Sequence, residues 1–536
     1  MRGNRQDKTV FLLLCLFLLL AFANALFNGF TYDDHKGIEE NGFITSFGNL
    51  PRLFTRDYFK NTPEKSYRPL VTISYFLDHW IWGNHPLGYH LTNVILHLLS
   101  AVLFFLLTGD FLENRESRFF ATLLFGLHPL VCEPVNSISF REDLLAGVFV
   151  LGALKLFLLT GPRFRRLSFL HFIFALLAYF SKESALPLLL VILCLMIVMK
   201  KGKDEDRSWK KRLPFLGVHL ALLLFYIVIR FWVLVPEPEG KTRILGGSVF
   251  SAASHSGFLF LKAWALFLFP LRLNADYVFW DIKGAVTPWG IAGWLFALFY
   301  AGELILLWRK NKGPILFALL WILLFFLPVS NIPSLTNPFA ERYLYLPLVG
   351  FAFLAGLGYD HFKRRYEGLG FKTRWRNPRF AAGIYLLCLA CITIKRNEVW
   401  RSDQSLWQAT LRREPHSIRA LNGVALGYIG NVGYDQAETL LQKAISLDPL
   451  DYELRNNLAV VYIHKNRPDQ AIEELEKAVF LKPDYATAHY NLARLYLYQQ
   501  GKDKQKARMH LDLAIKYGYP VPSSFLEETK DLQKTK

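Results

Sequence analysis

Cysteine is scarce in this chain: only five occur in 536 residues, and most of them lie within apolar runs. Their spacing matches neither a metal-binding motif nor a disulfide framework. Charge is also scarce, because Asp, Glu, Lys and Arg make up 20% of the residues whereas hydrophobic residues make up 52%. A chain of this length and composition is too apolar for an ordinary soluble protein. The sequence therefore predicts a polytopic membrane protein.

The charges that are present are unevenly distributed. The formal net charge is +18, but the segment from Asp403 to the C-terminus contains 18 Lys and Arg against 17 Asp and Glu. The basic excess therefore lies in residues 1–402, where short loops separate the hydrophobic segments. Such an excess is typical of loops that flank membrane spans, and it argues against nucleic acid as a partner.

The hydrophobic segments predict the spans. The first one, residues 10–27, is a signal anchor or a cleaved signal peptide, since Ala23-Asn24-Ala25 resembles a cleavage site. The others lie near residues 89–108, 118–136, 143–160, 167–180, 184–199, 213–234, 254–270, 288–308, 315–329, 343–359 and 380–395.

Four loops rich in Lys and Arg orient these spans. They cover residues 161–166, 200–212, 308–313 and 361–379, and we expect all of them to be cytoplasmic. This requires that one hydrophobic segment preceding the third loop does not cross the membrane. Segment 254–270 is short, includes a lysine and ends at a proline, so we interpret it as a re-entrant or interfacial helix. The result is about eleven spans and an extracytoplasmic C-terminal region.

A pattern with a 34-residue period occupies that C-terminal region, at 418–451, 452–485 and 486–520, with a two-residue insertion around Gly501–Lys504. In the middle copy the pattern consists of Leu458, Ala459, Tyr462, Ala471, Leu475, Ala478 and Pro483. It resembles the tetratricopeptide repeat (TPR), a pair of antiparallel helices. We therefore predict a membrane domain at 1–399, a TPR domain at 400–520 that begins with a capping helix, and a frayed tail at 521–536.

Paired charges lie in the loops and span ends that we place outside the cytoplasm. Asp33 and Asp34 are adjacent carboxylates, which raise each other's pKa and resist dehydration. A turn needs at most one Asp, so the pair favours a chemical role. The other candidates on this side are Arg68, His90, His128, Glu133, Arg141, Glu142, Asp143, Lys182, Glu183, Glu341 and Arg342.

These candidates also have structural interpretations. His90 and His97 share one helix face, and histidines in membrane helices often form hydrogen bonds between helices. The charged runs at 141–143, 182–183 and 341–342 suit a helix cap, a hairpin turn and an ion pair, respectively.

Several ordered runs of the chain resemble the O-mannosyltransferases that combine transmembrane spans with TPRs. These runs are TYDDHKGIEEN, SYRPLVTISYFLD, GYHLTNVILH, LLFGLHPLVCEPVNSISFREDLLA, YFSKESAL and AERYLYLP. The wider group is the GT-C glycosyltransferases, which use polyprenyl-phosphate sugars. The resemblance implies an all-α, GT-C-type membrane domain followed by an extracytoplasmic TPR solenoid. Family members read Gly-Arg-x-Asp where this chain reads Phe140-Arg141-Glu142-Asp143, and the short repeat array favours a prokaryotic relative.

The resemblance implies a role for most candidates. Asp33 is the general base that takes the proton from an acceptor hydroxyl, and Asp34 helps to orient it or stabilises the site. The cations for the donor phosphate are Arg68, Arg141, Lys182 and Arg342, among which Arg141 and Arg342 rank first because arginine can bind phosphate bidentately. The residues for the sugar or the acceptor are His90, His128, Glu133, Asp143, Glu183 and Glu341. His90 and His128 are the residues that would coordinate a divalent metal if one is used, and the need for a metal stays open.

The implied function is a glycosyltransferase that moves mannose or another hexose from a polyprenyl-phosphate donor to Ser or Thr hydroxyls of extracytoplasmic proteins. The repeats would recruit the acceptor protein. The membrane would be the bacterial inner membrane, or the endoplasmic reticulum in a eukaryote. Two alternatives stay open: a non-enzymatic TPR scaffold for envelope assembly, and a transporter, which would carry more charges deep within its spans.

Overall fold

A computed structural model describes most of the chain: residues 2–56, 58–61, 67–160, 166–198, 209–233, 249–278, 287–332, 335, 337–368, 377–498 and 503–529. Within these ranges every regular element is a helix, which confirms the predicted all-α class. The chain divides into two compact units. The first comprises residues 1–275 and 279–402, and the second comprises 276–278 and 403–536.

The first unit is a bundle of apolar helices joined by short 3₁₀ and π turns. Its α-helices are α1 Arg2–Phe22, α2 Tyr58–Asn61, α3 Pro69–Trp82, α4 Pro86–Thr108, α5 Arg115–Leu127, α6 Cys132–Asn136, α7 Arg141–Thr160, α8 Arg166–Ser181, α9 Leu188–Val198, α10 Trp209–Val228, α11 Val249–Leu268, α12 Pro288–Arg309, α13 Gly313–Phe326, α14 Tyr345–Gly368 and α15 Pro378–Val399. Each apolar segment predicted from the sequence overlaps one of these helices. The 14-residue helix α3 was not predicted.

The length and hydropathy of these helices identify a multi-pass membrane protein. Among the described residues, seven helices are long and apolar enough to cross a membrane, or eight if the bent pair Arg115–Leu127 and Pro129–Asn136 forms one span. Four further apolar helices are shorter, at Arg166–Ser181, Glu183–Val198, His255–Leu268 and Gly313–Val329. The count of about eleven crossing segments stays a prediction.

Helix α11 runs parallel to α12, although the two follow each other in the chain. The ring centroids of Phe260 and Phe296 lie 5.6 Å apart, and those of Trp264 and Tyr300 lie 5.8 Å apart. One turn or more earlier, Gly293 packs directly against the backbone of Gly257, with the same sequence separation as these ring pairs, so the helices advance in the same direction. The chain after α11 therefore returns to the end where α12 begins. This geometry supports the interpretation of 254–270 as a re-entrant helix.

The two ends of the bundle carry different charge clusters. At the end where α5 and α15 begin, Glu116 accepts hydrogen bonds from Lys363 and Arg379, each at 2.9 Å. Of the four predicted cytoplasmic loops, residues 161–165, 200–208 and 369–376 lie outside the described residues. The candidate residues of the sequence analysis lie at the opposite end, where α7 and α14 begin.

Over its described residues, the second unit contains a single helix, three antiparallel helix pairs that coincide with the predicted repeats, and a short last helix. Its helices are α16 Asp403–Arg413, α17 Ile418–Gly430, α18 Tyr434–Leu447, α19 Tyr452–His464, α20 Pro468–Leu481, α21 Ala486–Tyr498, α22 Lys504–Lys516 and α23 Ser523–Glu528. Buried small residues, including Ala425 and Ala459, permit the close helix contacts of this repeat. Residues 501 and 502 of the predicted insertion lie outside the described residues.

The tail is more ordered than the sequence predicts. Residues Ser523–Glu528 form α23, and the ring of Phe525 packs edge-on against that of Tyr490 at 5.4 Å. Burial of this one aromatic side chain attaches the segment to the third repeat. The prediction of a frayed end is therefore wrong for these residues, and residues 530–536 lie outside the described part of the chain.

Candidate active site

The two adjacent carboxylates of the first loop have opposite environments. Tyr32 adopts a left-handed backbone conformation (φ 58°) that turns the chain. A π-helical turn, His35–Glu39, follows directly. Asp33 is exposed at this turn, whereas Asp34 is fully buried. The loop therefore presents one carboxylate to solvent and uses the other internally.

Asp34 attaches the loop to the segment before α7. Its Oδ1 accepts hydrogen bonds from the backbone N–H of Ser139 at 2.7 Å and from the hydroxyl of Ser137 at 3.3 Å. Its Oδ2 accepts one from the N–H of Thr31 at 3.2 Å. Burial raises the pKa of Asp34 from 3.8 to about 6, although these hydrogen bonds favour the charged form.

The raised pKa of Asp34 predicts a pH dependence of stability. Because the folded protein binds this proton more tightly than the unfolded chain, the stabilising contribution is fully present below pH 3.8 and is lost as the pH rises to about 6. A shift of this size corresponds to about 3 kcal/mol. We expect Asp34→Asn to flatten the melting temperature against pH between pH 4 and 6, measured in detergent. Parallel curves for variant and wild type would contradict this assignment.

A network of alternating charges lies at the same end of the bundle. Arg68 donates from Nη1 to Glu142 at 3.0 Å and from Nη2 to Glu183 at 3.0 Å. Lys182 lies 3.5 Å from the same oxygen of Glu142 and donates to Asp143 at 2.5 Å. The side chains of Glu142, Asp143 and Lys182 are almost completely buried, whereas that of Arg68 is 19% exposed. Arg68 is therefore the most accessible of these cations.

A second ion pair lies beside the Asp loop, and its arginine shares the ring of Tyr343 with Lys182 of the network. Arg342 donates from its backbone N–H to Glu133 at 2.9 Å, and its guanidinium binds the other oxygen of the same carboxylate. The guanidinium carbon of Arg342 lies 3.8 Å from the ring centroid of Phe140. The ring of Tyr32 packs against the same Phe140 at 5.7 Å. Phe140 therefore contacts both Arg342, a candidate for the donor phosphate, and Tyr32, the residue next to Asp33.

Arg141 occupies a different position from the one expected. Its guanidinium is fully buried and donates to Asn93 at 2.7 Å, Ser74 at 3.1 Å and the carbonyl of Tyr89 at 3.0 Å. It also forms an ion pair with Asp78 at 2.6 Å. Because these partners use most of its donors inside the protein, we assign Arg141 a structural role and withdraw it as a phosphate ligand.

Two histidine candidates also face the interior. The ring of His90 lies 3.4 Å from the carbonyl of Gly29. His128 accepts from the N–H of Leu130 and contacts the carbonyl of Phe267 at 3.1 Å. We therefore no longer place these histidines at the sugar or the acceptor.

Glu341 also lies away from the candidate site, although the next residue, Arg342, belongs to it. Its buried carboxylate accepts from the N–H of Asn274 and pairs with Arg396 at 3.4 Å. It thus connects the segment after α11 to α15.

His97 forms hydrogen bonds between helices, which is the structural interpretation given above. It contacts the hydroxyl of Tyr345 at 2.9 Å and the carbonyl of Gly126 at 3.0 Å.

The structure adds residues that the sequence analysis did not assign. Asp78 lies on the unpredicted helix α3 and neutralises Arg141. Glu142, which was named without a role, bridges Arg68 and Lys182. Arg230 lies in a π-helical turn after α10 and pairs with Glu183 at 3.2 Å. The sequence did contain a signal for Arg230, which lies inside the predicted apolar segment 213–234. An ionisable residue in such a segment usually has a partner of opposite charge.

The described residues contain no group of three or more His, Cys, Asp or Glu side chains arranged to hold a metal ion. The carboxylates of Glu133, Glu142 and Asp143 pair with Arg or Lys.

Comparison with known proteins gives the family context. A family model described as "Tetratricopeptide repeat" matches residues 434–495. A protein O-mannosyl-transferase of Caenorhabditis elegans is 25% identical over 76% of this chain and 58% of its own length. Protein O-mannosyl-transferase TMTC3 of Homo sapiens is 26% identical over 77% of this chain and 48% of its own length.

This chain is a relative of the protein O-mannosyl-transferases. The resemblance drawn from the ordered runs is thereby confirmed, and so is the TPR assignment. The chain spans about half to three fifths of the length of these relatives. They are animal proteins, so prokaryotic origin stays a prediction.

Among solved structures, the archaeal oligosaccharyltransferase AglB of Archaeoglobus fulgidus aligns with 76% of this chain and 56% of its own. The identity is 13% and the TM-score 0.37, a likeness too low to support an argument.

Proposed function

We propose that this protein is a membrane glycosyltransferase that moves mannose or another hexose from a polyprenyl-phosphate donor to Ser or Thr hydroxyls of extracytoplasmic proteins. The observation that carries the proposal is the convergence of the exposed Asp33 with the cations Arg68 and Arg342 at one end of an apolar bundle. A donor with a lipid tail presents its phosphate at the end of such a bundle, where it needs a cation. The names of the relatives support the sugar-transfer chemistry.

The proposed mechanism assigns each part of the site a separate task. Asp33 accepts the proton of the acceptor hydroxyl while the oxygen of that hydroxyl bonds to the anomeric carbon of the sugar. Arg68, assisted by Lys182 and Arg342, stabilises the phosphate that leaves with the lipid. Asp34 contacts neither reactant and holds the loop that carries Asp33. Glu133, Asp143 and Glu183 keep the cations in place, and they stay candidates for contacts with sugar hydroxyls.

Transfer of labelled sugar by the purified full-length protein tests this function. The donor is polyprenyl-phosphate mannose in detergent, and the acceptor is a Ser/Thr-rich peptide. We expect hexose on peptide hydroxyls, detected by mass spectrometry, and no transfer from a nucleotide sugar. Transfer from the nucleotide sugar alone would overturn the donor assignment. A lack of transfer from any donor, with partner proteins retained by the TPR unit, would favour the scaffold alternative.

The TPR unit offers a surface suited to an extended acceptor. The amide of Asn491 donates to that of Asn456 at 2.9 Å, and Asn456 contacts Asn457 at 3.4 Å. Asn457 then donates to Asn422 at 2.9 Å. The bonds all point in one direction across the first helices of the three repeats. Side-chain amides both donate and accept, as the backbone of an extended peptide does, so we propose that this row binds the acceptor chain.

Replacing both ends of this row tests the recruitment role. We expect Asn422→Ala with Asn491→Ala to raise the KM for an acceptor peptide by about tenfold, because two hydrogen bonds are removed. The value of kcat should stay unchanged, since these contacts do not change between the bound substrate and the transition state. Gln470→Ala, at an exposed position on the second helix of a repeat, serves as the control. An unchanged KM would exclude the row as a peptide site.

A further inference from the structure

Two arginines from separate elements converge on one carboxylate at the candidate site. Arg68 precedes α3, and its Nη2 donates to Oε2 of Glu183 at 3.0 Å. Arg230 follows α10, and its Nη2 lies 3.2 Å from Oε1 of the same carboxylate. Each oxygen of Glu183 thus faces its own guanidinium. Such a pair of guanidinium groups around an anion also suits the oxygens of a phosphate.

The backbone at Arg230 is adapted to this contact. Residues Ile229–Val233 form a π-helical turn at the end of α10, whereas the rest of that helix is α-helical. A π turn inserts one residue into the helical register and changes the direction of the side chains, and such turns occur frequently at functional sites. The side chain of Arg230 is 11% exposed, so the contact lies close to the surface of the bundle.

Glu183 is the most exposed acidic residue of the charge network. Its side chain is 27% exposed, whereas those of Glu142 and Asp143 are 4% and 3% exposed. It begins a three-residue 3₁₀ turn, Glu183–Ala185, between α8 and α9. Because it lies at the edge of the network, another anion could take its place without exposing the buried pairs to water.

We propose that Arg68 and Arg230 form a clamp for the phosphate of a polyprenyl-phosphate donor, and that Glu183 occupies the clamp when the donor is absent. The proposal rests on the proposed function and adds Arg230 to its donor site. When the donor binds, its phosphate replaces the Glu183 carboxylate between the two guanidinium groups. The carboxylate turns towards solvent, and Arg68 keeps its bond to Glu142. No covalent bond changes in this step.

Binding of polyprenyl phosphate, which carries no sugar, tests the clamp without requiring catalysis. The full-length protein is placed in phosphatidylcholine nanodiscs and the dissociation constant is measured. We expect Arg230→Gln to weaken binding by about 10- to 100-fold, the value of a hydrogen bond between charged groups. Arg230→Lys should recover part of the loss. Glu183→Gln should tighten binding about fivefold, because a neutral amide replaces the carboxylate that competes with the phosphate. Arg379→Gln, at the opposite end of the bundle, should leave binding unchanged.

Glu183→Gln separates this proposal from a purely structural ion pair. A structural role predicts that Glu183→Gln and Arg230→Gln lower the melting temperature together and that neither changes binding by the folded fraction. That result would overturn the clamp, as would weaker binding in Glu183→Gln. Phosphatidylglycerol at the same mole fraction should not compete, and equal competition would show a general headgroup site and overturn the donor assignment.

The clamp and the sugar-transfer function can fail separately. If polyprenyl phosphate binds in an Arg230-dependent manner and no sugar is transferred, the clamp stands and the function does not. If Arg230→Gln binds the lipid and transfers sugar as the wild type does, the function stands and the clamp does not.

Discussion

Replacing Asp33 with Asn is expected to lower kcat/KM for sugar transfer by about 100- to 10,000-fold, the usual contribution of a positioned general base. Asn has nearly the same size but cannot accept the proton of the acceptor hydroxyl. The side chain of Asp33 is exposed, whereas the adjacent Asp34 makes the contacts that hold the loop. The melting temperature should therefore stay close to that of the wild type.

Glu40→Gln is the matched control for this variant. Glu40 is also an exposed acidic residue and lies at the end of the same π-helical turn. Its replacement removes one negative charge from the loop without touching the adjacent pair of carboxylates. Activity should stay within about twofold of the wild type, because an exposed charge contributes little. If Asp33→Asn retains full activity, or if both variants lose activity equally, Asp33 is not the base.

The second large effect concerns stability. Arg141→Gln is expected to lower the free energy of unfolding by about 3–5 kcal/mol, since it leaves the buried carboxylate of Asp78 without its counter-charge. It also removes donors from Ser74 and the carbonyl of Tyr89. The melting temperature in detergent measures this loss. Binding of polyprenyl phosphate by the folded fraction should be unchanged, because Arg141 lies in the interior.

The double variant Asp78→Asn/Arg141→Gln tests the cause. Removing both charges avoids an unpaired buried ion, so the double variant should melt above the Arg141→Gln variant. Arg379→Gln breaks an exposed ion pair instead and should change the stability by less than about 1 kcal/mol. A loss of lipid binding in Arg141→Gln at unchanged stability would restore Arg141 to the donor site.

Features set by local pattern could be predicted from the sequence. The TPR helices follow from residues that recur every 34 positions, and each helix pair lies where the repeat places it. The hydrophobic segments follow from composition. The charged residues near the site were also recognised, because ions beside apolar spans need partners. Helix α3 was missed because Asp78 and His79 interrupt its short apolar run.

The direction of each charged side chain could not be predicted. Arg141 and Glu142 are neighbours at the start of α7, and successive residues of a helix point about 100° apart. Arg141 consequently reaches α3 and α4, whereas Glu142 reaches Arg68 and Lys182. Which residue faces the site depends on the rotation of α7 against its neighbours, a tertiary property. Arg230 required a local π turn, for which the sequence contains no clear signal.

The short segment between Ser137 and Asp143 contacts nearly every part of the candidate site. Its first residues bind Asp34, Phe140 contacts both Tyr32 and Arg342, and its last residues bind Arg68 and Lys182. The separation between the proposed base and the proposed phosphate site is thus set by a few covalently linked residues. When the bilayer thickens or thins and whole helices tilt, both reactants move together. We therefore expect the intrinsic rate of transfer to depend little on lipid chain length.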